Sequence, residues 1–541
     1  MRLVGVRLVA LLVAGIGGVN FVTALRPTTV AARLAAPIDG AAPGRAQMLV
    51  LGLLLLTVAR GLIHLRWAAW IGGIVTLGFA MLVAIPQHRP FATLFCGAAL
   101  LALVILRRAF VTRPDPSRMR LAAQLSIVAI VIAIIGSAWD AMANRHSPGG
   151  AGRVVLVDLS TRAPENWRAM ILTLVLAVAV VAAVIVAFAP APPPAPGSPA
   201  ERTAVGEMAA RPDADSLAPF ATRTDKTYVF SADRRAAIGY RVLLGTALVG
   251  GDPVGAAGSA RDAMRAFLAL CSQRGWRPAV LGASLDMRAV WHELGLRGMY
   301  IGDEAILRLD EFSLESRRMR NLRQAVNRTR NAGVTVTIGR LNAAQAERLT
   351  PVLADWLHGE RERGFAMNLD SILTPRPDCL IATAYTRDGE PVAFARFAVC
   401  GDGSCYTLDV APRGKGAPNG VAERMIMEIV EYGRSHAAAE VSLNFAALRW
   451  VFDSSGLVPR VSATMLHALD RWIEIGSLNR FCAKFSPQWR SRSLLMGSWW
   501  ELGWVAAAAL RAELGHHPVP ARPVPAPELV HEPDTDHACT E

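Results

Sequence analysis

An alternating run that ends in Asp409 is followed by the loop PRGKGAPNG and then by the helical pattern VAERMIMEIVEYGRSH. Within that loop Arg413, Gly416 and Pro418 occupy the places of an R-x-x-G-x-G/A phosphate loop, with Pro where Gly or Ala would complete the signature. Backbone amides of such a loop, together with the start of the next helix, form a cradle for an anionic donor. Asp409 is a candidate proton acceptor at the strand's end, and a turn aspartate that caps the loop is the competing account. Glu423, one turn into the helix, suits a substrate ammonium; an acid favoured there by the helix dipole is the plainer alternative. Residues 316–333 hold six Arg (317, 318, 320, 323, 328 and 330) and no acid, a surface suited to RNA phosphates or anionic headgroups rather than a balanced solvated face.

These residues need elements to hold them. From about 223 to 512 short β-branched or aromatic runs alternate with amphipathic helices, the pattern of an α/β domain. YRVLLGTALVG, RPAVLGAS and MYIGDEAILRL read as strands, and a helix spans 258–274 with Met264, Phe267, Leu268 and Cys271 on one face. SLESRRMRNLRQAVNRTRNAG reads as a helix capped by Ser313 and ended by Gly333, and CLIATAYTRDGEPVAFARFAVCGDGSCYTLDVA as three antiparallel strands. Antiparallel strands, a Gly-rich loop and a helix are the core of a Gcn5-related acetyltransferase-type fold, and two such cycles, about 230–340 and 340–485, suggest a tandem arrangement. Residues 190–222, rich in Pro and Ala, read as a semi-rigid extended linker, and 513–541 as a disordered tail.

Ahead of the linker lies a different solvent problem. Hydrophobic residues make up 52% of the 541-residue chain and mean hydropathy is +0.31, which a soluble domain alone rarely reaches. Apolar stretches at roughly 8–25, 47–64, 67–85, 91–106, 121–139 and 169–189 each approach the ~20 residues needed to cross a bilayer, so 1–189 is expected to be a membrane domain of about six helices. Asp140 and Arg145 fall at a span's edge. The net charge of +13 is concentrated here: the first 190 residues carry +12 and the remaining 351 carry +1. A high pI is therefore no sign of a general nucleic-acid binder, and any RNA site must be a local patch. The Arg-rich loop at 107–120 favours a cytoplasmic side shared with both termini. Seven scattered Cys form no metal or disulfide pattern, and no metal or cofactor is expected. Lys226, Lys415 and Lys484 are the chain's only lysines beside 54 Arg, a mild hint that a compact ammonium is wanted at each.

Six blocks carry a resemblance. GGDPVG, IGDEAILRLDEFSL, LRQAVNR, WLHGERERGF, LDV followed by APNG, and KFSPQWRSRSLL occur in the order seen in the cytoplasmic domain of the lysylphosphatidylglycerol synthetases, the multiple peptide resistance factor family. The similarity covers about 230–495. It implies a multi-span α-helical membrane domain plus a cytoplasmic α/β domain of tandem acetyltransferase-like fold, in a bacterial plasma membrane. It also implies transfer of an aminoacyl group from aminoacyl-tRNA to the hydroxyl of phosphatidylglycerol or a related anionic phospholipid. One ester is exchanged for another, so a proton acceptor, an oxyanion donor and a donor cradle are needed. Lys484, in KFSPQW, resembles the family's lysine block and would face the donor's terminal adenosine or the developing negative charge, against the plainer account of a snorkelling surface lysine. Arg323, Asn327, Arg328, Asn419, Asp303 and Glu304 match family blocks as substrate contacts, although a strand-end turn explains Asp303 and Glu304 as well. Arg413 stands four residues after Asp409, one later than the family pattern, where Pro412 sits.

Further along, LLMGSWWELGWVAAAAL sets Trp499, Trp500 and Trp504 in a helical stretch, for contact with a bilayer or with the core. Two other functions compete: an acyl-coenzyme A N-acetyltransferase, disfavoured by the incomplete loop, and a non-catalytic lipid transporter or scaffold.

Overall fold

The computed structural model describes residues 2–25, 45–63, 66–84, 90–110, 112, 115–143, 178–179, 181–359, 362, 368–447 and 475–514. Helices α1 (Arg2–Leu25), α2 (Arg45–Ile63), α3 (Trp67–Ala84), α4 (Pro90–Ile105) and α5 (Pro116–Ala143) make up the N-terminal part. Residues 5–22 of α1 form one 18-residue window of mean hydropathy 1.9, long and apolar enough to cross a membrane; 51–63, 67–78 and 93–105 are shorter apolar helices. Among the described residues, then, one span meets the length the sequence reading asks of six. Residues 169–177 and 180 of the stretch expected at 169–189 lie outside them, as do Arg145 and residues 515–541 of the expected tail. Val9, Val13, Leu55, Val58, Leu77 and Leu103 build a core between the helices. Outward-facing Leu11, Leu94, Leu101 and Ile105 are exposed, so apolar side chains lie on both surfaces. A Cβ at Gly52 would meet the Gly17 carbonyl oxygen at 2.8 Å, which only glycine allows, and α1 and α2 touch there backbone to backbone.

Beyond residue 190 the chain builds one twelve-stranded sheet. In chain order its elements are β1 (Thr227–Phe230), β2 (Ala236–Leu243), β3 (Thr246–Gly250), β4 (Val254–Gly255), α7 (Ala257–Arg274), β5 (Arg277–Ala283), α8 (Leu285–Glu293) and β6 (Arg297–Arg308). There follow α9 (Arg320–Asn331), β7 (Thr335–Gly339), α10 (Ala343–Leu357), β8 (Cys379–Tyr385), β9 (Pro391–Cys400), β10 (Cys405–Val410), α11 (Val421–Ser435), β11 (Glu440–Ala447), α12 (Ile475–Ala483), β12 (Gln488–Met496) and α13 (Leu502–Leu514). The order across the sheet is β1-β2-β3-β5-β12-β6-β11-β10-β9-β8-β7. Each half is an antiparallel meander entering a parallel crossover, β3–α7–β5 and β10–α11–β11. The last strands are exchanged: β12 pairs with β5 of the first half, β6 pairs with β11 of the second, and β6 and β12 pair with each other. The two expected cycles are therefore present as one continuous sheet.

Local readings fare unevenly. The 258–274 helix and the three-stranded meander stand within a residue or two of expectation. YRVLLGTALVG is not one strand but a hairpin turning at Leu244 and Gly245, both at positive φ. Ser313 does not cap α9: its Oγ accepts from Glu315 N in a local turn, and a 3-10 turn at Arg317–Met319 leads in instead. Gly333, at φ +78°, does end that helix.

The linker expectation is corrected outright. Residues 199–209 form helix α6 (Pro199–Ala209), whose Ser198 and Glu201 make a reciprocal capping box. Residues 218–222 form a 3-10 turn that is buried throughout. S-P-A-E is a local start signal that the Pro and Ala content obscures, and the sheet supplies the burial that periodicity did not announce. The α/β unit therefore begins near 191, where Trp276 Nε1 donates to the Ala191 carbonyl at 2.8 Å.

Lys226 holds this segment down. Its Nζ is fully buried and donates to the Phe220 carbonyl at 2.9 Å. Burial pushes its pKa down from 10.5 to about 7. Between those values the unfolded chain holds a proton that the folded chain has released, so unfolding free energy rises with pH across about 7 to 10, by at most about 1.4 kcal/mol per unit. Chemical denaturation of the wild type should show that climb, and Lys226→Met should flatten it.

Candidate functional site

The second crossover opens into a cleft. Strands β10 and β11 pair only from Cys405–Thr407 to Glu440–Ser442, after which they diverge. A register shift between Ser442 and Phe445, with Asn444 at φ +71°, carries β11 aside, and Asn444 Nδ2 donates to the Leu408 carbonyl at 2.8 Å across the gap. The loop 412–420 and the start of α11 stand at its mouth. Gly420, at φ +100°, closes the loop against α9: a Cβ there would lie 2.8 Å from the Ala325 carbonyl oxygen. The structure thus sets the Arg run beside the Gly-rich loop.

Glu423 and Lys484, sixty-one residues apart in sequence, meet at this mouth with Lys484 Nζ donating to Glu423 Oε1 at 2.8 Å. The Lys side chain is half exposed and the carboxylate largely covered. Next along α11, Arg424 pairs with Glu428 at 2.6 Å, while its Nε and Nη1 are buried without a hydrogen bond. Burial lowers its pKa and nearby Arg330 adds to that. Two unsatisfied guanidinium donors beside a second cation describe a place for an anion.

Asp409 is placed differently from expectation. Its side chain is wholly buried, with Oδ2 2.5 Å from Arg396 Nε and Oδ1 accepting from Leu369 N at 2.9 Å and from Asn368 Nδ2 at 3.3 Å. Burial pushes its pKa up against the pull of Arg396. A carboxylate with both oxygens occupied and no solvent path is not poised to take a proton from an incoming hydroxyl. It fixes the end of β10 to the segment 368–372, whose carbonyls Arg396 also binds.

Asp303 and Glu304 are corrected too, because they lie inside β6 rather than at a strand-end turn. Asp303 accepts from Tyr300 at 2.6 Å and from Ser491 at 3.0 Å. Glu304 is fully buried and binds Ser216, Ser442 and Arg492. Arg492, buried in β12, also bonds Asp215 at 2.9 Å and lies 3.9 Å from Asp252. Burial and the neighbouring Asp215 push the Asp252 carboxyl up. This network joins the halves and leaves Glu304 no free face for a substrate.

Of the remaining expected residues, Arg323 turns back to bind the Leu314 and Ser316 carbonyls, shaping the entry to α9. Asn327, Arg328, Arg413 and Asn419 are exposed. Sequence reasoning passed over Arg396, Arg492, Asp215, Asn444 and Arg424. Arg396 had a signal: it is a lone charge within a strand-like run, FARF. Asn444 had none.

Two exchanged crossover cycles on one mixed sheet, with a cationic cleft mouth at the second, define the class: a tandem α/β protein of the kind seen in two solved structures. These are L-PGS from Bacillus licheniformis (TM-score 0.52, 22% identity, 59% of this chain and 97% of that one) and the C-terminal domain of a putative lysylphosphatidylglycerol synthetase from Agrobacterium fabrum (0.50, 23%, 59% and 99%). At such identities they establish the fold. Residues 206–496 match the family model described as phosphatidylglycerol lysyltransferase, C-terminal, and the chain belongs to that family. Its curated relatives include proteins named lysylphosphatidylglycerol biosynthesis bifunctional protein LysX, from Gordonia bronchialis (40% identical over 296 residues, 52% of this chain and 26% of the relative) and Mycobacterium avium (37% over 332 residues, 57% and 28%). The matched region thus covers little more than a quarter of these relatives.

Removing one partner of a buried ion network strands the others. Glu304→Ala should cost about 3–5 kcal/mol in chemical denaturation. Arg413→Ala, at an exposed loop position, should stay within about 0.5 kcal/mol.

Proposed function

We propose that the chain transfers an aminoacyl group from aminoacyl-tRNA to the hydroxyl of phosphatidylglycerol or a related anionic lipid at a membrane surface. The observation that carries this reading is the Glu423–Lys484 pair at the mouth of the splayed strands, flanked by the Arg-rich face of α9. Family membership supports the lipid and the donor. An apolar exterior around an apolar helical core supports anchoring in a bilayer by several helices, with the α/β domain on the cytoplasmic side.

In this reaction the lipid hydroxyl oxygen bonds to the ester carbonyl carbon, the bond from that carbon to the ribose oxygen breaks, and the hydroxyl proton ends on the ribose oxygen. With Asp409 engaged by Arg396, Glu423 becomes the carboxylate that relays this proton. Lys484 has a flexible, half-exposed stem and turns from Glu423 to the tetrahedral oxyanion. Arg328 and Arg330, both exposed on α9, receive phosphates of the RNA acceptor end, while Arg413 and Asn419 flank the loop. Asp409 and Arg396 hold the cleft's shape.

Purified protein incubated with radiolabelled aminoacyl-tRNAs and phosphatidylglycerol vesicles should move label into the organic phase. Lys484→Ala should lower kcat roughly 10²-fold, the usual cost of one oxyanion donor. Arg328→Ala should chiefly raise KM for RNA and reduce its salt dependence. Failure of every aminoacyl-tRNA to label lipid rejects the proposal.

A further inference from the structure

The end of the helical bundle that meets the α/β domain carries a site the transfer reaction does not use. Trp67 N donates to the Thr112 carbonyl at 3.1 Å, tying the α2–α3 turn to the α4–α5 loop. Thr112 Oγ1 in turn donates to the Ser272 carbonyl at 2.8 Å. A Cβ at Gly275 would meet Thr112 at 3.2 Å and Arg66 Nη2 at 3.5 Å, and one at Gly245 would meet Pro190 at 2.8 Å. The loops at the helix ends therefore sit against the C-terminal end of α7 and the turn between β2 and β3.

At that level cations gather. Arg66 lies within electrostatic reach of Arg60 and Arg277, and burial together with both neighbours pushes its pKa down to about 10. Among the described residues, the acids facing the group are Asp115, 3.7 Å from Arg274, and Glu501 near Arg277, so four guanidinium groups there stand against two carboxylates. Arg277 also lies over the Trp504 ring, 5.2 Å from its centroid. The 3-10 turn Trp499–Glu501 and helix α13, which it leads into, together present two apolar faces. Val505, Ala508 and Ala512 are buried on the domain, whereas the outward Trp499, Trp500 and Trp504 are 47%, 95% and 48% exposed. Ile63 and Trp67, at the adjoining helix ends, are exposed as well.

An almost fully exposed Trp beside unbalanced Arg, level with the ends of apolar helices, fits the headgroup zone of a membrane. We infer that Trp499, Trp500 and Trp504 rest on the bilayer surface, and that Arg60, Arg66 and Arg277 seat the phosphate of an anionic phospholipid at the bundle–domain junction. This rests on the reading that the helical part lies in a bilayer. It adds a lipid site distinct from the Glu423–Lys484 mouth, one that fixes the height of the domain above the membrane.

The test uses the full chain in nanodiscs of phosphatidylglycerol or phosphatidylcholine carrying bromine near the headgroup end of the acyl chains. Because the chain has thirteen Trp, quenching is read as the difference between wild type and Trp500→Phe or Trp67→Phe. Each variant should lose part of the quenchable emission, and the Trp500 share should be larger in phosphatidylglycerol. Native mass spectrometry of the detergent-extracted protein should show phosphatidylglycerol retained over phosphatidylcholine, and Arg66→Gln with Arg277→Gln should lower that retention roughly tenfold. Quenching that Trp67→Phe reduces and Trp500→Phe leaves unchanged overturns the dock while leaving the bundle in the membrane. No quenching of any Trp overturns both. Displacement of the retained lipid by tRNA, dependent on Arg66 and Arg277, would make the patch an RNA surface and overturn the lipid assignment.

Discussion

Arg492 reaches from β12 to Glu304 on β6 with its entire guanidinium out of water, and the architecture is organised around satisfying that charge. A buried ion of this kind costs several kcal/mol unless its partners are arranged around it. The partners come from places far apart in sequence: Asp215 before the first meander, Asp252 after β3, Glu304 on the last strand of the first half. Only the exchange of β6 and β12 between the halves brings them together. Neither cycle alone could bury this residue, so the two form a single folding unit.

The cleft inherits its shape from the same network. Ser442, where β11 stops pairing with β10, donates to Glu304, and Thr407, its register partner on β10, donates to the Ser216 carbonyl at 2.6 Å. The last paired residues of the parallel crossover are thus both tied to the central cluster, and divergence begins just beyond them. Asp409 and Arg396 then repeat the principle on a smaller scale, fixing the free end of β10. The geometry at Glu423 and Lys484 depends on two layers of buried charge behind it, which explains why so many charged residues of the matched blocks are buried rather than at the surface.

That arrangement also accounts for what the sequence could and could not reveal. Helices with one apolar face, the DG and GDG turns, and Gly333 were legible because each is set by residues a few places apart. Six ordered blocks pointed to the family, yet block membership did not separate Lys484, which reaches the cleft, from Glu304, which is buried beneath it. Both are charged residues in matching strings, and only their partners distinguish them. Asp409 misled for the same reason: the donor that already occupies its carboxylate is Arg396, thirteen residues earlier on the neighbouring strand. Exchange of the final strands leaves no local trace at all.

Backbone pairing, rather than distance along the chain from Asp409, places Arg413. Phe394 N donates to the Pro412 carbonyl at 3.0 Å and Gly414 N to the Val392 carbonyl at 2.9 Å, so residues 412–414 lie as a short extension along β9. Lys415 N then donates to Asp355 Oδ2 on α10 at 3.2 Å, turning the loop outward. The position of Arg413 is therefore set by its place against Ala393, not by its count from Asp409. Counting along the chain measures the wrong coordinate where a loop is pinned from the side.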